Sequence, residues 1–122
     1  MALTTTPTCG GDFPDVIVQE TDLEGSAVID VFDGAKSVHT ISINNTQNGA
    51  VSYFKAYNAG SVDPSSDVPN LKIKVPQSVT RDIIIADGLS FTTAVSMRCV
   101  TGTADTDNTD PGSSVITILT GS

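Results

Sequence analysis

The stretch LKIKV at residues 71–75 sets Leu71, Ile73 and Val75 on one side of an extended chain and Lys72 and Lys74 on the other. Successive side chains of a β-strand point to opposite faces, so such a segment can bury its apolar half only as part of a sheet. Residues 89–99 carry the same alternation further. Leu89, Phe91, Val95, Met97 and Cys99 share the apolar phase, and Ser90, Thr92, Ser96 and Arg98 share the polar one. No window sustains apolar residues at i, i+3, i+4 and i+7 over a helical length. The chain is therefore expected to be all-β and antiparallel, with one wetted face to each sheet.

The same reading predicts strands over 16–20, 26–32, 38–44, 51–58, 70–75, 79–85, 89–100 and 114–120. About eight short strands at this spacing point to a β-sandwich of jelly-roll type. Gly34, Gly49 and Gly88 each follow Asp or Asn, the pairing that tight turns with positive φ prefer. Pro64, Pro69 and Pro76 fall between strands, where a missing N–H costs no ladder bond. Residues 1–15 hold Pro7, Gly10, Gly11 and Pro14 with neither period, which predicts an extended N-terminal arm ahead of a single sandwich domain over 16–122. A chain of 122 residues is long enough for one core.

Charge narrows the partners. The net charge is −8, and the six basic residues are scattered singly through the sequence. Nucleic acid and anionic membrane surfaces both require clustered Lys and Arg, so neither is expected as a partner. No apolar run approaches the ~20 residues that span a bilayer. The opening MALTTTPTCGGDFP lacks the basic and apolar regions of a secretory signal, so the chain is expected to remain where it is made or to leave as part of a larger particle. With no oxidising compartment indicated, Cys9 and Cys99 read as reduced thiols rather than a bridge.

Residues that could carry chemistry are few. Asp105, Asp107 and Asp110 crowd the run TGTADTDNTDP, and the first two fit the opening of a calcium loop. The rest of that pattern fails: Asp110 stands where Gly is needed, and Ile116 where a bidentate Glu is needed. A solvated acidic connector outweighs the calcium site, so no metal or other cofactor is expected. His39 is the only histidine and shares phase with Ile41 and Ile43, as a structural residue would. No G-x-S-x-G elbow occurs, and the absence of Trp speaks against a sugar-stacking cleft. Asn44 to Thr46 matches a glycosylation acceptor that is idle without secretion. No catalytic residues are assigned, and the protein is expected not to be an enzyme.

Four segments carry a resemblance. They are the aromatic-Lys-x-Tyr strand (Phe54, Lys55, Tyr57), the Pro-x-Leu-x-Ile-x-Val-Pro strand (Pro69 to Pro76), the Asp-Gly-Leu-x-Phe entry (Asp87 to Phe91), and the Thr-Gly-x-Ala-Asp-x-Asp loop. Their order over residues 38–122 resembles small β-sandwich virion proteins of tailed bacteriophages, especially cyanophages. The resemblance implies a capsid decoration (cement) protein on the outer surface of the head, made in the host cytoplasm. The major capsid protein would be its partner and a homotrimer its state. A tail or head-fibre appendage component and a carbohydrate-binding adhesin module are the alternatives. Thr6, Pro7, Cys9, Phe13 and Pro14 of the arm are the candidate capsid contacts, since an extended segment can order on a neighbour's sheet edge.

Overall fold

The computed structural model describes residues 2–5 and 14–122, with side chains from residue 14 onward. Eight strands are named: β1 (Ala2–Thr5), β2 (Val16–Glu20), β3 (Lys36–Asn44), β4 (Ser52–Asn58), β5 (Leu71–Val75), β6 (Thr80–Phe91), β7 (Val95–Val100) and β8 (Ile116–Gly121). They form two antiparallel sheets, sheet A in the order β1-β2-β8-β3-β6 and sheet B in the order β5-β4-β7. There is no helix among the described residues, as the alternation requires.

The core lies between the sheets. Sheet A contributes Val18, Val38, Ile41, Ile43 and Leu119, and sheet B contributes Phe54, Ala56, Ile73, Val75, Met97 and Cys99, all buried. The LKIKV phase holds: Ile73 and Val75 are buried and Leu71 is half-buried, while Lys72 and Lys74 are exposed. The residues at 2–5, within the expected arm, pair with β2 as an added edge strand.

Several expectations change. Residues 26–32 are not a strand. They run beside β7 and touch it as a sheet would only at the Val28–Met97 bridge, with Val31 N donating to Val95 O at 2.9 Å. The predicted strand 89–100 is divided: residues 89–91 join the predicted 79–85 in one strand, β6, and the chain then bends at 92–94 before β7. Gly88 (φ 77°) is thus not in a turn between strands. It closes a four-residue excursion of β6, residues 85–88, facing the single residue His39 of β3. Any Cβ there would meet Ser37 Cβ at 3.1 Å and the His39 ring at 3.2 Å, so both the dihedral and the space select glycine. Gly34 also takes positive φ (112°), whereas Gly49 does not. The irregularity between Val38 and Thr40 shifts the side-chain phase, so Val38 joins Ile41 and Ile43 in the core and His39 packs beneath Gly88.

Candidate functional site

The largest departure from simple alternation is on the outer face of sheet B. Lys55 of β4 stands directly opposite Lys72 of β5 on one side and Arg98 of β7 on the other. Three cations therefore lie in a row across the sheet, at neighbour spacings of about 5 Å. Like charges so placed repel, and an open face would leave them to water. Instead Lys55 and Arg98 are both 0% exposed. Ser96 is buried too, and its hydroxyl donates to Ala59 O at 2.6 Å, so the expectation that Ser96 and Arg98 face solvent is corrected.

What covers the row is the Asp-rich loop. Arg98 Nη2 donates to Asp105 O at 2.8 Å, and Nη1 donates to Asp107 O at 2.9 Å and to Asn108 Oδ1 at 2.8 Å. Its Nε donates to the Tyr57 hydroxyl at 2.9 Å, so the buried fork is satisfied on every side. Lys55 Nζ donates to Ala104 O at 2.5 Å, and Lys72 Nζ donates to Thr103 O at 2.6 Å and pairs with Asp105 Oδ1 at 2.7 Å. Mostly the backbone carbonyls of residues 103–107, rather than carboxylates, solvate the row.

The three aspartates considered for calcium have protein partners. Asp105 holds Lys72, and this bond keeps its carboxyl below the usual carboxylate range. Asp107 folds the loop on itself by accepting Gly102 N at 2.9 Å and the Thr109 hydroxyl at 3.1 Å. Asp110 Oδ1 accepts Gly25 N at 2.7 Å, tying the loop to the segment that covers β7. Among the described residues no three His, Cys, Asp or Glu side chains converge as a cation site would require.

Two groups in sheet B are shifted by this packing. Lys55 is held below the ordinary lysine value, first by burial and then by the adjacent Arg98 and Lys72. Cys99, on the inner face beside it, is pushed up to about 12 by burial, which keeps the thiol protonated and unreactive at neutral pH. Cys9 lies outside the described residues, as do Thr6, Pro7 and Phe13. Of the proposed arm contacts only Pro14 is described, half-buried just before Asp15, whose N donates to Gly121 O at 2.9 Å.

At the same end of sheet A, His39 Nε2 is bonded to the Ser122 hydroxyl at 2.8 Å beside Asp87, in a recess of about 230 Å³ also lined by Ser37. A serine, the histidine and an aspartate are therefore neighbours, but His39 bonds Ser122 alone. The backbone of Ser122 is itself tied to Ser37 by a reciprocal pair of bonds, at 3.0 and 2.9 Å. The bond thus joins the start of β3 to the C-terminal residue that follows β8.

One structural residue escaped the sequence reading. Asn45 is fully buried; its Nδ2 donates to the carbonyls of Ala50 at 3.0 Å, Val75 at 3.3 Å and Pro76 at 3.1 Å, and its Oδ1 accepts from Asn48 and Ser52. It pins the turn after β3 to the end of β5. Its neighbour Asn44 uses Oδ1 to accept from Thr46, the local Asx turn that the NNT triplet forms.

Sheet A's outer face contrasts with that of sheet B. Thr40, Thr120 and Ile17 stand abreast on it with Ile84, and Ser42 and Ile118 form the next row with Asp82. Ile84 is 81% exposed and Ile118 is 36% exposed, so among the described residues a broad, nearly uncharged surface is left uncovered on an acidic molecule. Comparison with protein-family models, with curated proteins and with solved structures finds no match.

Proposed function

We propose that this chain is a non-catalytic structural protein of a phage virion, and specifically a decoration protein that docks on the outer surface of the head shell. The observation that supports this most is the open, weakly charged outer face of sheet A, which carries Ile84 and Ile118 among Thr and Ser, on a molecule of net charge −8. A neutral Ile- and Thr-bearing sheet suits contact with another protein surface, while the remaining acidity suits an exterior position away from packaged nucleic acid. The buried cation row and its roof add a stitched, rigid body of the kind a cement needs. The resemblance over residues 38–122 points the same way. A homotrimer would place three weak contacts on a local threefold of the shell and multiply them through effective concentration. The arm over residues 1–15 is the second proposed contact, reaching the major capsid protein.

The test is to mix the purified chain with undecorated shells and image the product. Density over the outer surface at hundreds of copies per shell supports the reading. Empty shells, or binding of a handful of copies at one vertex, overturn it, the latter in favour of an appendage. Removing residues 1–15 should lower occupancy; unchanged occupancy removes the arm from the proposal.

A further inference from the structure

The sandwich has two lateral flanks, and they differ in charge. On one, β5 and β6 lie one above the other, joined where Arg81 Nη1 donates to Lys74 O at 2.9 Å. On the other, the segment 22–33 runs along β7. Cys99 N donates to Glu24 O and Leu23 N to Val115 O, so this segment also spans from sheet B to sheet A. Of the six basic residues, Lys55 and Arg98 are buried. Of the remaining four, Lys74 and Arg81 are exposed on the β5–β6 flank, and Lys72 beside them is paired with Asp105. The opposite flank carries Asp22, Glu24 and Asp33 exposed and Asp30 half-buried, with no basic residue from 20 to 33. The acidic flank also shows an apolar residue to solvent, Ile29 at 52%.

The sheet edges sharpen the contrast. An unprotected edge strand is a template for pairing, and proteins blunt such edges with charge or cover. Edge β5 carries Lys72 and Lys74, and edge β7 is covered by 22–33. Along Thr80–Ile84 of β6 no described segment lies hydrogen-bonded on the outer side, and Arg81 and Asp82 are the charges on that edge, followed by three isoleucines.

We infer that a second copy of this chain is the occupant, bound head to tail: the acidic 22–33 flank of one molecule against the basic β5–β6 flank of the next. Two chains of net charge −8 repel at a distance. This is the lateral contact that brings opposite signs together, with Asp22 and Glu24 facing Lys74 and Arg81 of the neighbour. Asp82, exposed beside Arg81 on the same strand, offsets part of this charge, and Lys74 and Arg81 outnumber it. The two surfaces differ, so the contact is heterologous, and repeated copies close a ring when the rotation between them permits. The inference is separate from shell docking: monomers found decorating a shell would overturn it, and the homotrimer with it, and leave docking on the shell standing.

The test is sedimentation velocity of the full chain. The wild type should associate at low salt and weaken at least about tenfold at high salt, where exposed charges are screened. Both Lys74→Glu with Arg81→Glu and Asp22→Lys with Glu24→Lys should give monomers with unchanged circular dichroism, and the chain carrying all four changes should reassemble. Zero-length carbodiimide cross-linking of the wild type gives a readout that needs no variant: an intermolecular peptide joining Lys74 to Glu24 or Asp22 is expected. A wild type that sediments as a monomer at low salt, or an oligomer indifferent to both charge reversals and lacking that cross-link, overturns the inference.

Discussion

The outer faces of the two sheets begin from the same pattern and meet opposite fates. On sheet A, the residues between core positions are Thr40, Ser42, Thr120 and isoleucines, and the face stays open. On sheet B, the corresponding positions are Lys55, Tyr57, Ser96 and Arg98, and the face is closed by the loop that follows β7. Alternation alone marks both as solvent-facing. The comparison teaches that a polar phase specifies only which side of a sheet a residue is on, and that a later loop decides whether that side is wet.

Removing Arg98 should produce the largest break in the contrast. Arg98→Met leaves the carbonyls of Asp105 and Asp107 and the Asn108 amide oxygen without their donor in a buried place. A loss of about 3–5 kcal/mol in urea unfolding is expected, because orphaned buried polar groups cost their full desolvation. A loss under 1 kcal/mol would show that the roof is dispensable. Asp110→Ala removes only the tether from Gly25 N and should cost about 1–2 kcal/mol.

Ionisation sharpens the same point without mutation. The Cys99 thiol, pushed up to about 12, keeps its proton in the folded state after the unfolded chain has lost it. Its contribution to stability is therefore complete below the ordinary thiol range and declines as pH rises from about 9 towards 12. In a Cys9→Ser background, a thiol reagent should leave the native protein unlabelled and react stoichiometrically once it is unfolded. Rapid labelling of the native form would refute a sealed sheet B. Lys55 acts with the opposite sign. Its folded value is depressed, so between that value and the ordinary 10.5 the unfolded chain binds more protons and stability rises with pH. Lys55→Met should abolish that rise when the pH dependence of the two proteins is compared.

The smallest effect belongs to sheet A. Ile84→Thr, at a position 81% exposed, should change the stability of the isolated chain by no more than about 0.5 kcal/mol. A loss several times larger would mean that this face is already covered.

Much of the architecture was legible. LKIKV keeps the phase read from its letters because β5 packs one face on the core and turns both lysines outward. The β6 error has a local cause: Asp87–Gly88 has the chemistry of a hairpin turn, yet the chain uses it to step over His39 and continue along β3. The 26–32 error has another. SAVIDVF has strand composition, but its positive-φ Asp30 (49°) and the bond from Leu23 N to Val115 O, just before β8, hold it as a bridging cover rather than a ladder. In the candidate site, the aspartates of 105–110 were visible as a cluster, but Asp105 finds its partner at Lys72 of β5 and Asp110 at Gly25, 85 residues away.

By itself the sequence determined the all-β class, the period-two core and the acidity, because each depends on neighbours along the chain. Only the tertiary structure decided that Lys72, Lys55 and Arg98 stand abreast, that one acidic loop solvates them with its carbonyls, and that Lys74 and Arg81 end on the flank away from Asp22 and Glu24. Strand register sets which distant residues become lateral neighbours, and register is fixed by burial across the whole sheet rather than by any single segment.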